Sequence, residues 1–389
     1  LAETWRVTRA KVATFRAIDA VLSPLQLFRA KSSAPDAIKS ILVLEPWLIG
    51  DVVIATAALR ALREMFPEAT LTLLGRQHAA ELLEHSGLVD DVVVYELPWT
   101  ARSRKYDPRR YDRRSLLDLI RRLKARHFDL SVDARMDLRS NILTWAIGAK
   151  RRVGFDFGGG SAFLTDLVSV NPDRDHRVDD WLRIVDVLKP YATGSAKKLD
   201  LRREAGWVPA LAVSEDEKKW AERWLAENGV TLDRPIVVIH AGASNERRRW
   251  PIDKYRAAGR ALVERCDAQV VFFPEPSSDD ENIDLATAVA RVSLREMMAI
   301  MSQASLVLCN DSGPMHIADA LGIPVVAVFL TGNPKWHRPS REFQKWEGEG
   351  TGHDFLIPPD EDKVIAAATS LLSKRAKSDQ RPMPATAAT

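Results

Sequence analysis

Three short runs carry side chains able to do chemistry, and each stands where an apolar, strand-like run gives way to a helical one. In the first, Gly50-Asp51 follows Ile41 to Leu44 and a short turn. Glycine at such a place lets backbone approach a ligand closely, while the aspartate, read alone, caps the helix. The second run begins at His240 and reads HAGASNERRRWP, with small residues followed by Arg247, Arg248 and Arg249. That composition suits phosphate oxygens, and it equally describes a solvated run of charge. The third begins at Asn310 and reads NDSGPMHIADALGIPVVAVF, placing Asp311, Ser312 and Gly313 at a helix start, where backbone N–H groups attract anions. Taken alone, His316 within it reads as a structural histidine.

The elements that must position these runs alternate regularly. Ile41 to Leu44 reads as a strand, Glu45 to Gly50 as a turn and Val52 to Met65 as a helix of 3.6 period. Strands follow at Leu71 to Leu74, Val92 to Tyr95, Leu130 to Asp133 and Lys150 to Gly154. A second series runs through Ile236 to Ile239, Val270 to Phe273, Leu306 to Cys309 and Val325 to Phe329. This is the rhythm of parallel, doubly wound sheets, so the fold class is α/β with two Rossmann-like domains. The expected layout is a basic N-terminal extension over 1–38, a first domain over 39–200, a second over 201–374 and a disordered tail over 375–389. In such sheets ligands bind beyond the carboxyl ends of the strands, which is where all three runs fall.

Composition closes off several function classes. A chain of 389 residues exceeds what one core usually serves. No run approaches about eighteen uncharged apolar residues, and the N-terminus lacks the pattern of a secretory signal, so a cytosolic enzyme is expected. Cys266 and Cys309 have no Cys or His at metal-ligand spacing and read as reduced thiols, which argues against a disulfide framework or structural zinc. A net charge of +3 is too small to imply nucleic acid as a partner. No GxGxxG follows a strand, no Walker GxxxxGK[ST] is present and no GxSxG elbow occurs. Dehydrogenase, P-loop and Ser-His-Asp hydrolase readings all lose support.

Four segments in order resemble glycosyltransferase family 9, the lipopolysaccharide heptosyltransferases. They are ILVLEPWLIGDVVIATAALRALREMFPEATLTLL, FDLSVDARMDLRSNILTWAIGAKRRVGF, HAGASNERRRWP and NDSGPMHIADALGIPVVAVF, within a resemblance spanning about Ile41 to Leu372. The resemblance implies a GT-B fold, two Rossmann-like domains facing a cleft, with the acceptor on the N-terminal domain and the nucleotide sugar on the C-terminal one. It implies inverting transfer of a heptose from ADP-heptose to an inner-core lipopolysaccharide acceptor, with no metal and no cofactor. Asp51 takes the place of the family's general base, with Gly50 beside the acceptor. Arg248 falls where the family usually has a lysine, a departure that alters reach and geometry at the donor diphosphate. Ser244, Asp311, Ser312, Gly313 and His316 fall to the donor site, and Glu275 resembles the acid that holds the nucleotide ribose, with Glu281 as its rival.

The acceptor side also has a charge signature. Between Ala101 and Arg126 there are eleven Lys or Arg against three Asp, a local excess that attracts polyanions. Arg102, Arg104 and Lys105 sit where acceptor contacts are expected, Arg139 matches a family lysine, and Arg121 to Arg126 reads as a solvated helix face. Near the start, Trp5, Val12, Phe15, Ile18 and Leu22 recur at helical spacing among Arg6, Arg9, Lys11 and Arg16, ending near Pro24. Such a basic amphipathic helix lies on the cytoplasmic face of an anionic inner membrane or packs on its own protein. The competing readings are a family member with another nucleotide sugar or glycan acceptor, and a binding protein without transfer activity; retention of Gly50-Asp51 speaks against the latter.

Overall fold

A strand that lies between parallel neighbours is buried on both faces and so is apolar throughout. The run Ile41 to Leu44 meets that requirement and is buried throughout in β1 (Ser40–Leu44). The structure, a computed structural model, describes residues 9–22, 24, 37–100, 111–169, 176–274, 288–331, 339–340, 354–357 and 360–378. The chain divides into two compact units, Leu1–Val208 and Pro209–Thr389.

The first unit contains α1 (Arg9–Leu22), β1, α2 (Ile49–Met65), β2 (Thr70–Gly75), α3 (Gln77–Leu83), β3 (Asp91–Val94), α4 (Arg113–Lys124), β4 (Leu130–Asp133), α5 (Leu138–Ile147), β5 (Arg151–Phe155), β6 (Asp166–Val168) and α6 (Arg177–Asp186). Its six strands are all parallel in the order β3-β2-β1-β4-β5-β6. One core brings Leu119 and Leu123 of α4 and Leu143 and Ile147 of α5 onto Leu42, Leu44 and Leu74 of the sheet. Residues 201–208 belong with this unit: Arg60 Nη1 donates to the Val208 carbonyl at 3.0 Å and its guanidinium lies 5.6 Å from the Trp207 ring.

The second unit contains α7 (Glu215–Glu227), β7 (Ile236–His240), α8 (Ile252–Cys266), β8 (Gln269–Phe273), β9 (Ala288–Val289), α9 (Leu294–Ser302), β10 (Leu306–Asn310), α10 (Gly313–Leu321), β11 (Val325–Val328), β12 (Asp354–Ile357) and α11 (Glu361–Ser378). Its strands are also all parallel, ordered β12-β11-β10-β7-β8-β9. Trp250 and Tyr255 meet edge to face at 5.0 Å within a core that α11 closes with Val364, Ile365 and Ala368.

Several elements depart from the sequence expectation. α2 begins at Ile49, so Gly50 and Asp51 lie in its first turn and not ahead of it. β6, β9 and β12 go unread in the sequence because edge strands of two to four residues carry too little periodicity to register. α11 runs to Ser378, making the start of the expected tail helical; residues 379–389 lie outside the described ones. α1 docks on its own unit. Asp19 accepts from the N–H groups of Gly159 at 3.2 Å and Ser161 at 3.1 Å and from the Ser161 hydroxyl at 2.8 Å, while Ile18 lies against Gly159. Among the described residues no helix is long and apolar enough to cross a membrane.

Candidate active site

Each sheet reverses its winding direction once, between β1 and β4 in the first unit and between β7 and β10 in the second. The loops beyond such a reversal diverge and open a crevice at the strand ends. In the first unit the β1–α2 loop delivers Glu45, Trp47, Gly50 and Asp51, and the β4–α5 loop delivers Asp133, Arg135, Asp137 and Arg139.

Asp51 occupies the third position of α2 and reaches back to accept from the Leu48 N–H at 3.3 Å. It is therefore a helix cap, as its residue type suggests. It is also the partner of Arg135, whose Nη2 lies 2.8 Å from Asp51 Oδ1 and 2.7 Å from Glu45 Oε1. The same guanidinium sits 5.2 Å from the centre of the Trp47 ring. The Asp51 side chain is 21% exposed and the Glu45 side chain 0%, so a ligand reaches the aspartate and not the glutamate.

Electrostatics separate the two carboxylates. Burial pushes Asp51 up, but the charge and hydrogen bond of Arg135, with Arg177 and the Leu48 N–H, outweigh it and hold the carboxyl well below the usual range. For Glu45 burial dominates, opposed by Arg135 and reinforced by Asp51, and its carboxyl is raised to about 7. Burial likewise drives Asp133, at the end of β4, well above the ordinary aspartate value. Arg177 stands at the head of α6 and is itself buried against Asp180 at 2.8 Å.

The β4–α5 loop is held from two sides. The Arg135 N–H donates to Asp133 Oδ1 at 2.7 Å. Gly158, at φ +108°, passes so close that a Cβ there would lie 2.6 Å from the Met136 carbonyl carbon, which only glycine permits. Arg139 opens α5 and grips Asp137, the helix cap, through Nε at 2.9 Å and Nη2 at 2.6 Å, with its guanidinium 5.9 Å from the Trp99 ring. Arg102, Arg104 and Lys105 lie outside the described residues.

In the second unit Asn310 ties the two diverging loops together. Its Nδ2 donates to the Ala241 carbonyl at 2.7 Å, and its Oδ1 accepts from the Trp250 N–H at 2.9 Å. Arg248 is thereby brought 3.2 Å from the buried carboxylate of Asp311. Burial raises Asp311, with the Arg248 charge opposing. Ser312 and Gly313 follow at the head of α10, where the Ser312 side chain makes no capping hydrogen bond; its hydroxyl turns back to the Asn310 carbonyl at 3.2 Å. Helix N–H groups beside a guanidinium make an anion site. Ser244 is exposed in the β7–α8 loop and His316 is buried one turn into α10. His240, at the end of β7, stacks on Phe273 with ring centres 6.2 Å apart, and burial lowers its imidazole to about 4, leaving it neutral. Glu275 and Glu281 lie outside the described residues.

Glu45, Trp47, Arg135, Arg177 and Asn310 are absent from the sequence-derived set. Arg135 and Asn310 had a usable signal, since each sits at or just past a strand end in a segment already singled out. Glu45 directly follows an apolar strand, where its type alone suggests a solvated turn.

Two doubly wound α/β units, each gathering charged side chains at its reversal point, are the units of a GT-B fold. The profile of glycosyltransferase family 9 (heptosyltransferase) matches residues 116–351, and the chain belongs to that family. The lipopolysaccharide core heptosyltransferase OpsX of Haemophilus influenzae is 24% identical over 319 residues, covering 77% of this chain and 81% of the relative. Among solved structures, E. coli ADP-heptose lipopolysaccharide heptosyltransferase II aligns with a TM-score of 0.64 at 20% identity, covering 87% of this chain and 99% of that one. E. coli heptosyltransferase WaaC with ADP-2-deoxy-2-fluoro heptose aligns with a TM-score of 0.61 at 14% identity over 87% and 99%.

Proposed function

We propose that this glycosyltransferase moves a heptose from ADP-heptose to an inner-core lipopolysaccharide acceptor, with inversion and without a metal ion. The observation that carries the reading is the partly exposed Asp51 carboxylate at the reversal point of the first sheet, in a chain of the heptosyltransferase family. Relatives named as lipopolysaccharide heptosyltransferases supply the donor and acceptor classes.

In the proposed step the acceptor hydroxyl attacks the anomeric carbon while the bond from that carbon to the diphosphate oxygen breaks. The hydroxyl proton passes to Asp51, and the electron pair of the broken bond leaves on ADP. Asp51 is held as a carboxylate by Arg135, so it meets the hydroxyl ready to accept. It is a weak base, and proton transfer therefore follows as the forming bond acidifies the hydroxyl. Arg248 and the N–H groups at Ser312 and Gly313 take up the negative charge of the leaving diphosphate, a task otherwise given to a metal. Ser244 and His316 line the same donor side, and Glu275 is assigned to the ribose. Gly50 leaves room for the acceptor, and Arg102, Arg104, Lys105 and Arg139 meet its anionic groups. ADP and ADP-heptose are expected to raise the melting temperature of the protein while UDP and GDP leave it unchanged; selective stabilisation by UDP or GDP removes the ADP-heptose assignment.

An acceptor anchored in lipid requires the enzyme at the inner-membrane surface, on its cytoplasmic face. Supporting this, α5 turns Ile142 and a 55%-exposed Trp145 to solvent, and the neighbouring α4 exposes Arg113, Arg114, Leu117, Arg121, Arg122 and Lys124. Phe163 meets Trp145 edge-on at 5.7 Å, next to Ser161 where α1 docks. An aromatic among cations is the composition of an interfacial patch on anionic lipid. Vesicles of phosphatidylglycerol and phosphatidylcholine should co-sediment the wild-type chain and release the Trp145→Ser/Arg121→Glu/Arg122→Glu variant. Equal sedimentation of the two would remove this face from the account.

A further inference from the structure

Asp51 does not stand alone. A single nitrogen, Arg135 Nη2, serves both Asp51 Oδ1 at 2.8 Å and Glu45 Oε1 at 2.7 Å, although Glu45 and Arg135 are separated by ninety residues of sequence. Glu45 is wholly buried, and among the described residues its Oε2 has no hydrogen-bond partner. A glutamate in that state costs stability, so its presence calls for a role. Arg135 is clamped by its neighbours: its N–H is bound to Asp133, its loop is pressed by Gly158, and its guanidinium lies over Trp47.

We propose that Arg135 is a positioning residue for the Asp51 carboxylate and that Glu45 anchors Arg135 and takes up part of its charge. The proposal rests on the reading of Asp51 as the proton acceptor. Asp51 has Oδ1 tied to Arg135 and Oδ2 tied to the Leu48 N–H. Its orientation is set before an acceptor arrives, which spares the reaction that ordering. A guanidinium acting on Asp51 alone would leave it a poorer base still; above about pH 7, where Glu45 is ionised, the second carboxylate on the same nitrogen returns some of its proton affinity. The other charged or titratable groups coupled to this cluster are Arg177 at the head of α6, Asp133 at the end of β4, which feels the charges of Arg135 and Glu45, and His78 of α3, which feels the charge of Asp51. Arg177 is bound to Asp180 and so acts at a distance.

The sign of the effect follows from the charges. Removing Arg135 takes away a cation that favours ionised Asp51, and the burial that remains favours the neutral form. The acid limb of kcat/KM then moves up. Removing Glu45 takes away the anchor of Arg135 and so lowers kcat, but Glu45, raised to about 7, is already protonated where Asp51 titrates, and the acid limb stays in place.

The test uses the full chain as wild type, Arg135→Gln, Arg135→Lys, Glu45→Gln, the Glu45→Gln/Arg135→Gln pair and Asp51→Asn, with kcat/KM followed against pH and melting temperature recorded for each. Arg135→Gln is expected to lift the acid limb by about 1–3 pH units and to lower kcat about 10- to 100-fold. Arg135→Lys should restore the limb position, while Glu45→Gln should lower kcat with no rise in the limb. The paired variant leaves no buried unpaired glutamate charge, so it keeps the measurement available if Arg135→Gln fails to fold, and it should show the same raised limb. Wild-type profiles for Arg135→Gln and for the pair, alongside an inactive Asp51→Asn, would overturn the positioning role and leave Asp51 as the acceptor. Full turnover by Asp51→Asn would overturn both.

Discussion

Asp51→Asn is expected to lower kcat by about 10²–10⁴-fold, the usual contribution of a positioned general base, while affinity for ADP stays within a factor of about two. The substitution is nearly isosteric, and asparagine retains an oxygen able to accept from the Leu48 N–H, so the start of α2 should persist. What is lost is the ability to take a proton and the charge facing Arg135, whose other partner Glu45 remains at 2.7 Å. ADP affinity is spared because the diphosphate is assigned to Arg248 and α10, which belong to the second unit. Steady-state rates together with calorimetric ADP binding separate the outcomes. Loss of turnover with intact binding supports the base, loss of both points to misfolding, and unchanged turnover removes Asp51 from the proton step.

Arg248→Ala is the second large effect. Hydrogen bonds from a cation to an anion contribute about 1.5–3 kcal/mol, so ADP affinity should fall about 10- to 100-fold. Arg248 is paired with Asp311 at 3.2 Å, and Asp311 is buried. Truncation therefore leaves an unpartnered carboxylate close to the head of α10, where it also repels diphosphate. Burial already raises Asp311, so the orphaned group should take up a proton more readily and the binding defect should shrink as pH falls. Arg248→Ala/Asp311→Asn removes that repulsion while still lacking the cation. Partial recovery in the double variant is expected; full recovery would show that Arg248 serves only to neutralise Asp311. Arg248→Lys tests the departure from the family's usual lysine directly, and near-wild-type affinity is expected from it because a single charge at this point suffices for diphosphate.

What could be read from the sequence was whatever depends on local pattern. The central strands β1, β7 and β10 each hold an apolar run of four residues, β4 (Leu130–Asp133) is buried though half polar, and the alternation of strand and helix points to a parallel sheet. The start of α2 was read late because Gly50 looks like a turn residue; in the structure the extended Leu48 serves as cap and Asp51 closes back on it. The edge strands β6, β9 and β12 escaped because two to four residues hold little period. Contacts between residues far apart in the chain were invisible. Nothing local ties Glu45 to Arg135, Asn310 to Ala241 and Trp250, or Gly158 to Met136, yet these contacts shape both candidate sites. The glycine run at Gly158 to Gly160 lacks the flanks of a nucleotide loop, and its use is different: it admits the backbone that carries Arg135. Arg139 was read as an acceptor contact, and the structure commits its Nε/Nη2 edge to Asp137, so an acceptor group there must share that guanidinium with a carboxylate.

The most direct test of the central claim is to incubate the full chain with ADP-heptose and a heptose-deficient lipopolysaccharide core acceptor in EDTA, measuring released ADP and the mass of the acceptor. The account predicts one ADP released for each heptose gained, and none from Asp51→Asn. An acceptor that stays unmodified with ADP-heptose, but gains a sugar from a different nucleotide donor, would contradict it.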